Sequence, residues 1–252
     1  MDVKIYLCIS TIPPRQKQLI NVVDSILKNT VLPEQIIINI CKTYFRFPEQ
    51  KFDLTLLEKY KDNKLIKINL LDNDDGPITK VFGYLDELLK LEDLDNKYIL
   101  TADDDLLYKP TFIESFIKKV KKDNTVIWTG YQEARGKKFQ TCFGADGILM
   151  KLSILHKIRE YAYFLFDKDI RFKYHDDFIF SSYFYLNGIE SKRGGVNSRL
   201  NEKESKYSGL DDYSLTKDKL GGNNGANSTR DNLLHGIFHT NKDNGDLDKY
   251  LI

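Results

Sequence analysis

The sequence predicts an α/β fold with a mostly parallel central sheet flanked by helices, and three observations carry that prediction. Short apolar runs rich in β-branched residues alternate with segments whose apolar residues recur at helical spacing, the pattern of strands joined by right-handed helical crossovers. The run Tyr98-Ile99-Leu100-Thr101-Ala102 then stops abruptly in Asp103-Asp104-Asp105, and ligand sites of open α/β sheets lie at the carboxyl ends of their strands. Finally, 252 residues of which 41% are hydrophobic and 30% charged are enough to bury one sizeable core and ordinary for a globular protein.

Val3 to Ile9 is the first predicted strand. Ser10-Thr11-Ile12-Pro13-Pro14-Arg15 breaks it before a helix over Gln16 to Asn29, where Leu19, Val22, Val23, Ile26 and Leu27 share one face. Gln35 to Ile40 predicts a second buried strand, Leu54 to Tyr60 a helix, Leu65 to Leu71 a third strand, and Thr79 to Leu91 an amphipathic helix leading to the strand at Tyr98. After the acidic run, Pro110 opens a helix over Thr111 to Lys121, and Thr125 to Thr129 is one more strand. Beyond Gly130 the alternation weakens. Phe143-Gly144-Ala145-Asp146-Gly147 reads as a glycine-punctuated turn before an apolar stretch, Ile148 to Leu155, and Asp177 to Asn187 as an aromatic-rich buried helix stopped by Asn187-Gly188. Asn201 to Asn227 is polar and Gly/Asn-rich, too long for an ordinary connection; a substrate lid and a disordered segment are both open. No internal repeat is present.

The formal net charge is +1, from 38 basic against 37 acidic residues, so no global field argues for nucleic acid. Lys118-Lys119-Val120-Lys121-Lys122 ends a helical pattern, where cations suit the helix dipole, and reads as a solvated face. Cys8, Cys41 and Cys142 are far apart without metal-ligand spacing, and the first two sit in apolar strand patterns, as buried small hydrophobes in a reducing compartment would. Met1-Asp2-Val3-Lys4 runs straight into a core strand, with no apolar segment long enough for a signal peptide or anchor. The expectation is a cytoplasmic protein without an integral membrane segment, a monomer or small homo-oligomer.

Three adjacent carboxylates repel one another and call for a cation, and their hard oxygens suit Mg²⁺ or Mn²⁺ with positions open to substrate phosphates. A solvated acidic turn is the alternative. Thr11 and Arg15, just past the first strand, can offer a hydroxyl and a guanidinium to a nucleotide. Lys80, in the first turn of the helix that follows Asp72 to Thr79, can meet a phosphate. In His175-Asp176-Asp177, either Asp serves as a helix N-cap or one acts as a general base that deprotonates an acceptor hydroxyl. His235 and His239, four apart, present one helical face; lacking the accompanying Glu of a zinc protease, they read better as candidates for the acidic run's metal.

Taken together, these residues resemble the GT-A class of nucleotide-sugar-dependent glycosyltransferases, family 2-like, with bacterial and large-virus members. The resemblance runs from Val3 to about Thr240 and implies a Rossmann-like fold within a single domain over residues 1–252. Residues of about 1–130 would form its nucleotide-sugar-binding half and about 131–252 a smaller acceptor-side subregion. Thr101-Ala102-Asp103-Asp104-Asp105 looks like the DxD motif, which implies Asp105 as ligand of a divalent cation, Mn or Mg, with Asp103 and Asp104 on the donor side. Asp74 to Lys80 is similar to a Gly-Pro-Ala-Thr-Lys stretch and implies that Lys80 contacts the donor. Gly144 and Ala145 match in kind a glycine-containing loop beside the donor sugar. His175-Asp176-Asp177 matches a Glu-Asp motif that carries the catalytic base, with Asp177 favoured over Asp176. His239 is similar to a carboxyl-terminal metal ligand, with His235 as competitor. The implied reaction is transfer from a nucleoside diphosphate sugar to a glycan, protein or small-molecule acceptor, with inversion. A Mg²⁺-dependent phosphohydrolase and a catalytically silent carbohydrate-binding protein, stacking sugars on some of its fifteen Tyr and fifteen Phe, are the competing readings.

Overall fold

In the computed structural model of the chain, residues 2–133, 141–194, 213 and 227–252 are described. The apolar runs fold as strands β1 (Lys4–Ser10), β2 (Gln35–Cys41), β3 (Ile66–Leu71), β4 (Lys97–Thr101), β5 (Ile127–Glu133), β6 (Thr141–Lys151) and β7 (Ser191–Arg193). They form one mixed sheet in the order β3-β2-β1-β4-β6-β5-β7. β1 pairs in parallel with β2 and β4, β2 with β3, and β5 with β7; β6 runs antiparallel to both β4 and β5. The expected α/β fold with a mostly parallel sheet is therefore observed. Because β1 and β4 are neighbours at its centre, the loops that leave their carboxyl ends, Thr11–Arg15 and Asp103–Asp105, emerge side by side.

The helices are α1 (Gln16–Ile26), α2 (Thr79–Leu89), α3 (Phe112–Lys122), α4 (Ile158–Lys168), α5 (Asp176–Leu186) and α6 (Asn227–Asp243). Strand residues alternate between two cores. Ile5, Leu7, Ile9, Ile36, Ile38 and Leu100 face a layer containing Leu19, Val22 and Val23 of α1 and Phe112 and Phe116 of α3. Cys8, Ile37, Ile99, Ile148 and Met150 face the opposite layer, with Val81 and Leu85 of α2, Tyr161 and Leu165 of α4, Ile179 and Tyr183 of α5 and Phe238 of α6. Burial on both faces explains why the parallel strands read as continuous apolar runs rather than alternating ones. All three cysteines are buried and free, as expected of Cys8 and Cys41. No described helix is long and apolar enough to cross a membrane.

The structure refines one expectation, adds a helix and corrects one turn. The helix expected over Leu54–Tyr60 is present and is of the 3-10 type: its buried residues, Leu57 and Tyr60, are three apart, the period of the tighter helix. The helix α4 was not legible, because its aromatic-rich sequence favours strands when taken locally. The segment Phe143 to Gly147 is not a turn but part of β6. Tyr131 faces Phe143 and Thr129 faces Ile148, so β6 advances from 143 to 148 while β5 moves only from 131 to 129. The glycines form a wide bulge inside a strand that is paired on both sides, and tertiary pairing overrides the local turn signal. The polar segment Asn201 to Asn227 lies outside the described residues apart from Tyr213 and Asn227.

The approach to α2 is held by one glycine. Gly76 has φ +77°, and a Cβ there would lie 2.2 Å from the Lys173 carbonyl oxygen. Its N–H donates to Asp74 Oδ1 at 2.8 Å, and the N–H of Asp75 donates to Thr79 Oγ1 at 2.9 Å, closing the turn ahead of the helix. Gly76→Ala should combine left-handed strain with a backbone collision and cost at least about 2 kcal/mol in denaturant unfolding; a change below 0.5 kcal/mol, on the order of an ordinary surface substitution, would contradict this account of the turn.

Candidate active site

The carboxyl ends of β1 and β4, the first turn of α2, the glycine bulge of β6 and the start of α5 meet at one place, with Lys80 at its centre. Lys80 lies one residue into α2, and its side chain is 6% exposed. Its Nζ is 2.5 Å from Asp103 Oδ1 and 3.0 Å from Asp176 Oδ2. Burial alone would push the ammonium pKa down, but Asp103, then Asp176 and Asp177, outweigh it and hold Lys80 well above the ordinary lysine value. Asp103 is fixed in turn by its own N–H, which donates to Tyr108 Oη at 2.8 Å. The Tyr108 ring stacks on Phe112 with centroids 4.3 Å apart.

Helix α5 begins at Asp176, with His175 at its N-cap position and no side-chain capping bond. Neither Asp caps the helix, since both carboxylates find partners outside it. Asp176 reaches Lys80, whereas Asp177 Oδ1 accepts the Gly144 N–H at 2.7 Å. Ser181 secures the contact: its hydroxyl donates to the Asp177 carbonyl at 2.6 Å and accepts the Cys142 N–H at 2.8 Å, tying α5 to β6. Burial first, then the charge of Asp176, pushes the Asp177 carboxyl well above the usual carboxylate range, beyond what Gly144 and Lys80 can offset. A Cβ at Gly144 would sit 3.3 Å from Asp177 Oδ1, a tight approach that the carboxylate would have to yield to by a few tenths of an ångström, and in ordinary contact with Lys80 Nζ at 3.6 Å and Asp176 Oδ2 at 3.7 Å.

On the β1 side, Thr11 Oγ1 donates to Asp104 Oδ2 at 2.6 Å. Arg15 Nη1 lies 3.1 Å from Asp104 Oδ1 and 3.0 Å from Asp105 Oδ2. Burial still raises the Asp104 pKa, against the opposing pull of Arg15 and Thr11. Thr11, Arg15, Lys80, Asp103, Asp104, Asp105, Gly144, Asp176 and Asp177 are thus joined by direct contacts or through the Asp103–Asp105 backbone. Ala145 follows Gly144 in the bulge. His239 lies on α6 among aromatic rings, 5.0 Å from Phe238 and 6.3 Å from Tyr185. Its neighbour His235 packs edge-on to Phe178 of α5 at 4.9 Å, so both histidines contact the helix carrying the acidic pair, His235 near its start and His239 near its end. Among the described residues, no group of three or more His, Cys, Asp or Glu side chains is disposed to hold a metal ion by itself.

Sequence reasoning missed Tyr108, Ser181 and Thr101. Thr101 Oγ1 accepts the Ile148 N–H at 2.8 Å and donates to the Gly144 carbonyl at 3.4 Å, holding the bulge against β4. It also missed Asn39, whose signal was there to be read: one amide among the isoleucines of Ile36-Ile37-Ile38-Asn39-Ile40.

No protein-family model and no curated protein matches the chain. Among solved structures, it is similar to S. aureus TarS 1-349 in complex with UDP, with a TM-score of 0.48 and 16% identity over 76% of this chain and 58% of that one. Similarity to TarS 1-349 in complex with UDP-GlcNAc has a TM-score of 0.43 at 14% identity, covering 63% and 48%, and to TarS a TM-score of 0.42 at 14%, covering 62% and 30%. The chain thus spans less than two thirds of the length of each of these structures.

Two substitutions separate the roles of charge here. Lys80→Met removes the cation between Asp103 and Asp176 and should cost about 3–5 kcal/mol in denaturant unfolding, the usual consequence of leaving buried charges unpaired. Asp177→Asn should do the opposite. The folded state holds the Asp177 proton more tightly than the unfolded chain does, so wild-type stability is lost as pH rises from the unfolded carboxylate pKa of about 4 through the raised folded value. The Asn variant should melt higher than wild type at neutral pH, with the difference vanishing below about pH 4; a variant that melts lower at pH 7 would contradict the assignment.

Proposed function

We propose that the chain is a glycosyltransferase that moves a sugar from a nucleoside diphosphate sugar to an acceptor hydroxyl with inversion. The single observation that carries this reading is the division of carboxylates around Lys80. Asp103 lies at the end of a central strand, and Asp176 and Asp177 lie at the start of a buried helix. Glycosyl transfer needs such a division: a cation-bearing side for the leaving diphosphate and a carboxylate on the other side for the acceptor proton.

Arg15 and Lys80 supply fixed positive charge for the diphosphate, and Arg15 suits it geometrically through its planar fork. Asp177 accepts the acceptor proton. Its raised pKa makes it a stronger base than an ordinary carboxylate, and the Gly144 N–H holds one oxygen in place while the other can face the hydroxyl. Asp103, with a side chain 26% exposed, is the most open of the residues paired with Lys80 and marks the side from which donor would enter.

The residues also fit a hard divalent cation. Asp103, Asp104, Asp105, Asp176 and Asp177 are faced by two cations in their described contacts, Arg15 and Lys80, and the raised pKa values of Asp104 and Asp177 fit a surplus of negative charge. A Mg²⁺ or Mn²⁺ held by one or two carboxylates and completed by phosphate and water needs no cage of three protein ligands. We assign that position to Asp105. When bound, such an ion would neutralise charge on the leaving diphosphate.

Incubation with a panel of nucleoside diphosphate sugars, following nucleoside diphosphate release and acceptor modification, tests the reading. Asp177→Asn should lower kcat by about 10²–10⁴-fold, the usual contribution of a general base, while leaving donor Kd nearly unchanged; wild-type kcat in the variant would remove Asp177 from the mechanism. Because Arg15 occupies Asp105, it competes with a divalent ion. Arg15→Gln should bind Mn²⁺ alone about tenfold more tightly, as removing one favourable charge contact of about 1.4 kcal/mol implies. Equal or weaker Mn²⁺ binding would count against Asp105 as its ligand.

A further inference from the structure

Asn39 is fully buried, at 0% exposure, in a strand of isoleucines, and it lies in register with Asn69 on β3. Every polar atom of the pair that faces α2 is engaged. Asn39 Nδ2 donates to the Lys80 carbonyl at 2.9 Å, Asn69 Nδ2 donates to Asn39 Oδ1 at 2.8 Å, and Asn69 Nδ2 also donates to the Gly83 carbonyl at 2.8 Å. These bonds fix the amide orientation, since reversing Asn39 would set its oxygen against the Lys80 carbonyl. The two carbonyls lie on one face of α2, three residues apart, and each has a second lone pair left over from the helical ladder. Gly83 completes the fit: a Cβ there would lie 2.3 Å from Asn39 Oδ1 and 2.5 Å from its Cγ. Apolar packing is non-directional and lets a helix shift along a sheet, whereas two directed bonds to one turn do not.

We propose that Asn39 and Asn69 are positioning residues: a buried amide clamp that locks the first turns of α2 to the sheet and so places Lys80 between Asp103 and Asp176. The clamp touches neither substrate nor the reacting atoms and acts only through Lys80. Its kinetic consequence rests on the glycosyl-transfer reading; its structural consequence does not.

The test is the Asn39→Leu/Asn69→Leu double variant, which replaces both amides by apolar groups of similar size and leaves no buried amide unpaired. The rate at which Lys80 is acetylated in the full chain, read by mass spectrometry, reports its placement without any need for turnover. With the thermal midpoint within about 5 °C of wild type, Lys80 should label about tenfold faster, with other lysines unaffected, and kcat should fall by about tenfold with little change in donor KM, as loss of orientation predicts. Gly83→Ala, which drives a methyl into the intact clamp, and the milder Asn69→Ala should act in the same direction, so the test stands even where the double variant does not fold. Wild-type labelling of Lys80 in a folded variant overturns the clamp. Absence of sugar transfer in the wild type would sink the glycosyltransferase reading alone, because labelling still decides the clamp.

Discussion

One buried ammonium holds the candidate site together: Lys80 Nζ, between Asp103 at the end of β4 and Asp176 at the start of α5. Desolvating a lysine and two carboxylates costs several kcal/mol per ion, and their mutual attraction returns that only when the geometry is good. Such a triad is weak evidence for stability and better evidence for specification, because it has a low energy in only one arrangement of the strand end and the helix start. The surrounding structure is consistent with that. Tyr108 fixes Asp103 through its backbone, Ser181 fixes the first turn of α5 against β6, and the Asn39–Asn69 pair engages the turn that carries Lys80.

The antiparallel strand β6 extends the site in a way that a wholly parallel sheet would not. Running against β4, it brings its bulge to the carboxyl end of the sheet, where a backbone N–H becomes available to Asp177. A bulge is suited to this because it frees a backbone donor from the strand ladder and re-aims it. The glycine at that point keeps a side chain from pressing on the Asp177 carboxylate, which a Cβ would approach to 3.3 Å.

Much of this was legible in the sequence. The parallel strands declared themselves as runs such as Ile36-Ile37-Ile38, and the acidic groups stood out because charge after an apolar run is conspicuous. Eight of the nine expected site residues that meet do so for that reason: each follows a strand or opens a helix, and open α/β sheets gather such positions at one edge, whereas Gly144 arrives inside β6. What was not legible depends on pairing across the fold. The glycines of β6 looked like a turn because what stretches them into a bulge is the register with β5, which the local sequence does not set. Asn39 and Asn69 are thirty residues apart and make sense only once β2 and β3 are in register. Tyr108 acts through its hydroxyl on a backbone N–H, a role that no motif records.

The acidity of the site raises a difficulty that its own geometry answers. The start of α5 presents a partial positive charge, which favours ionised carboxylates by about 0.3–1 kcal/mol, or about 2 in partly buried settings. The Asp177 pKa is raised nevertheless, so burial and the neighbouring Asp176 outweigh the dipole. A cluster this negative favours uptake of a proton and suits positive charge developing at an anomeric carbon, but it repels a diphosphate. The two requirements are reconciled if positive charge is weighted toward the strand end. Arg15 engages Asp104 and Asp105, and Lys80 bridges Asp103 and Asp176, whereas Asp177 has a neutral backbone N–H as its closest described partner. Positive charge is thus strongest along the strand end, reaches α5 through Lys80 and is weakest at Asp177, the gradient that the proposed transfer would need between its leaving group and its base.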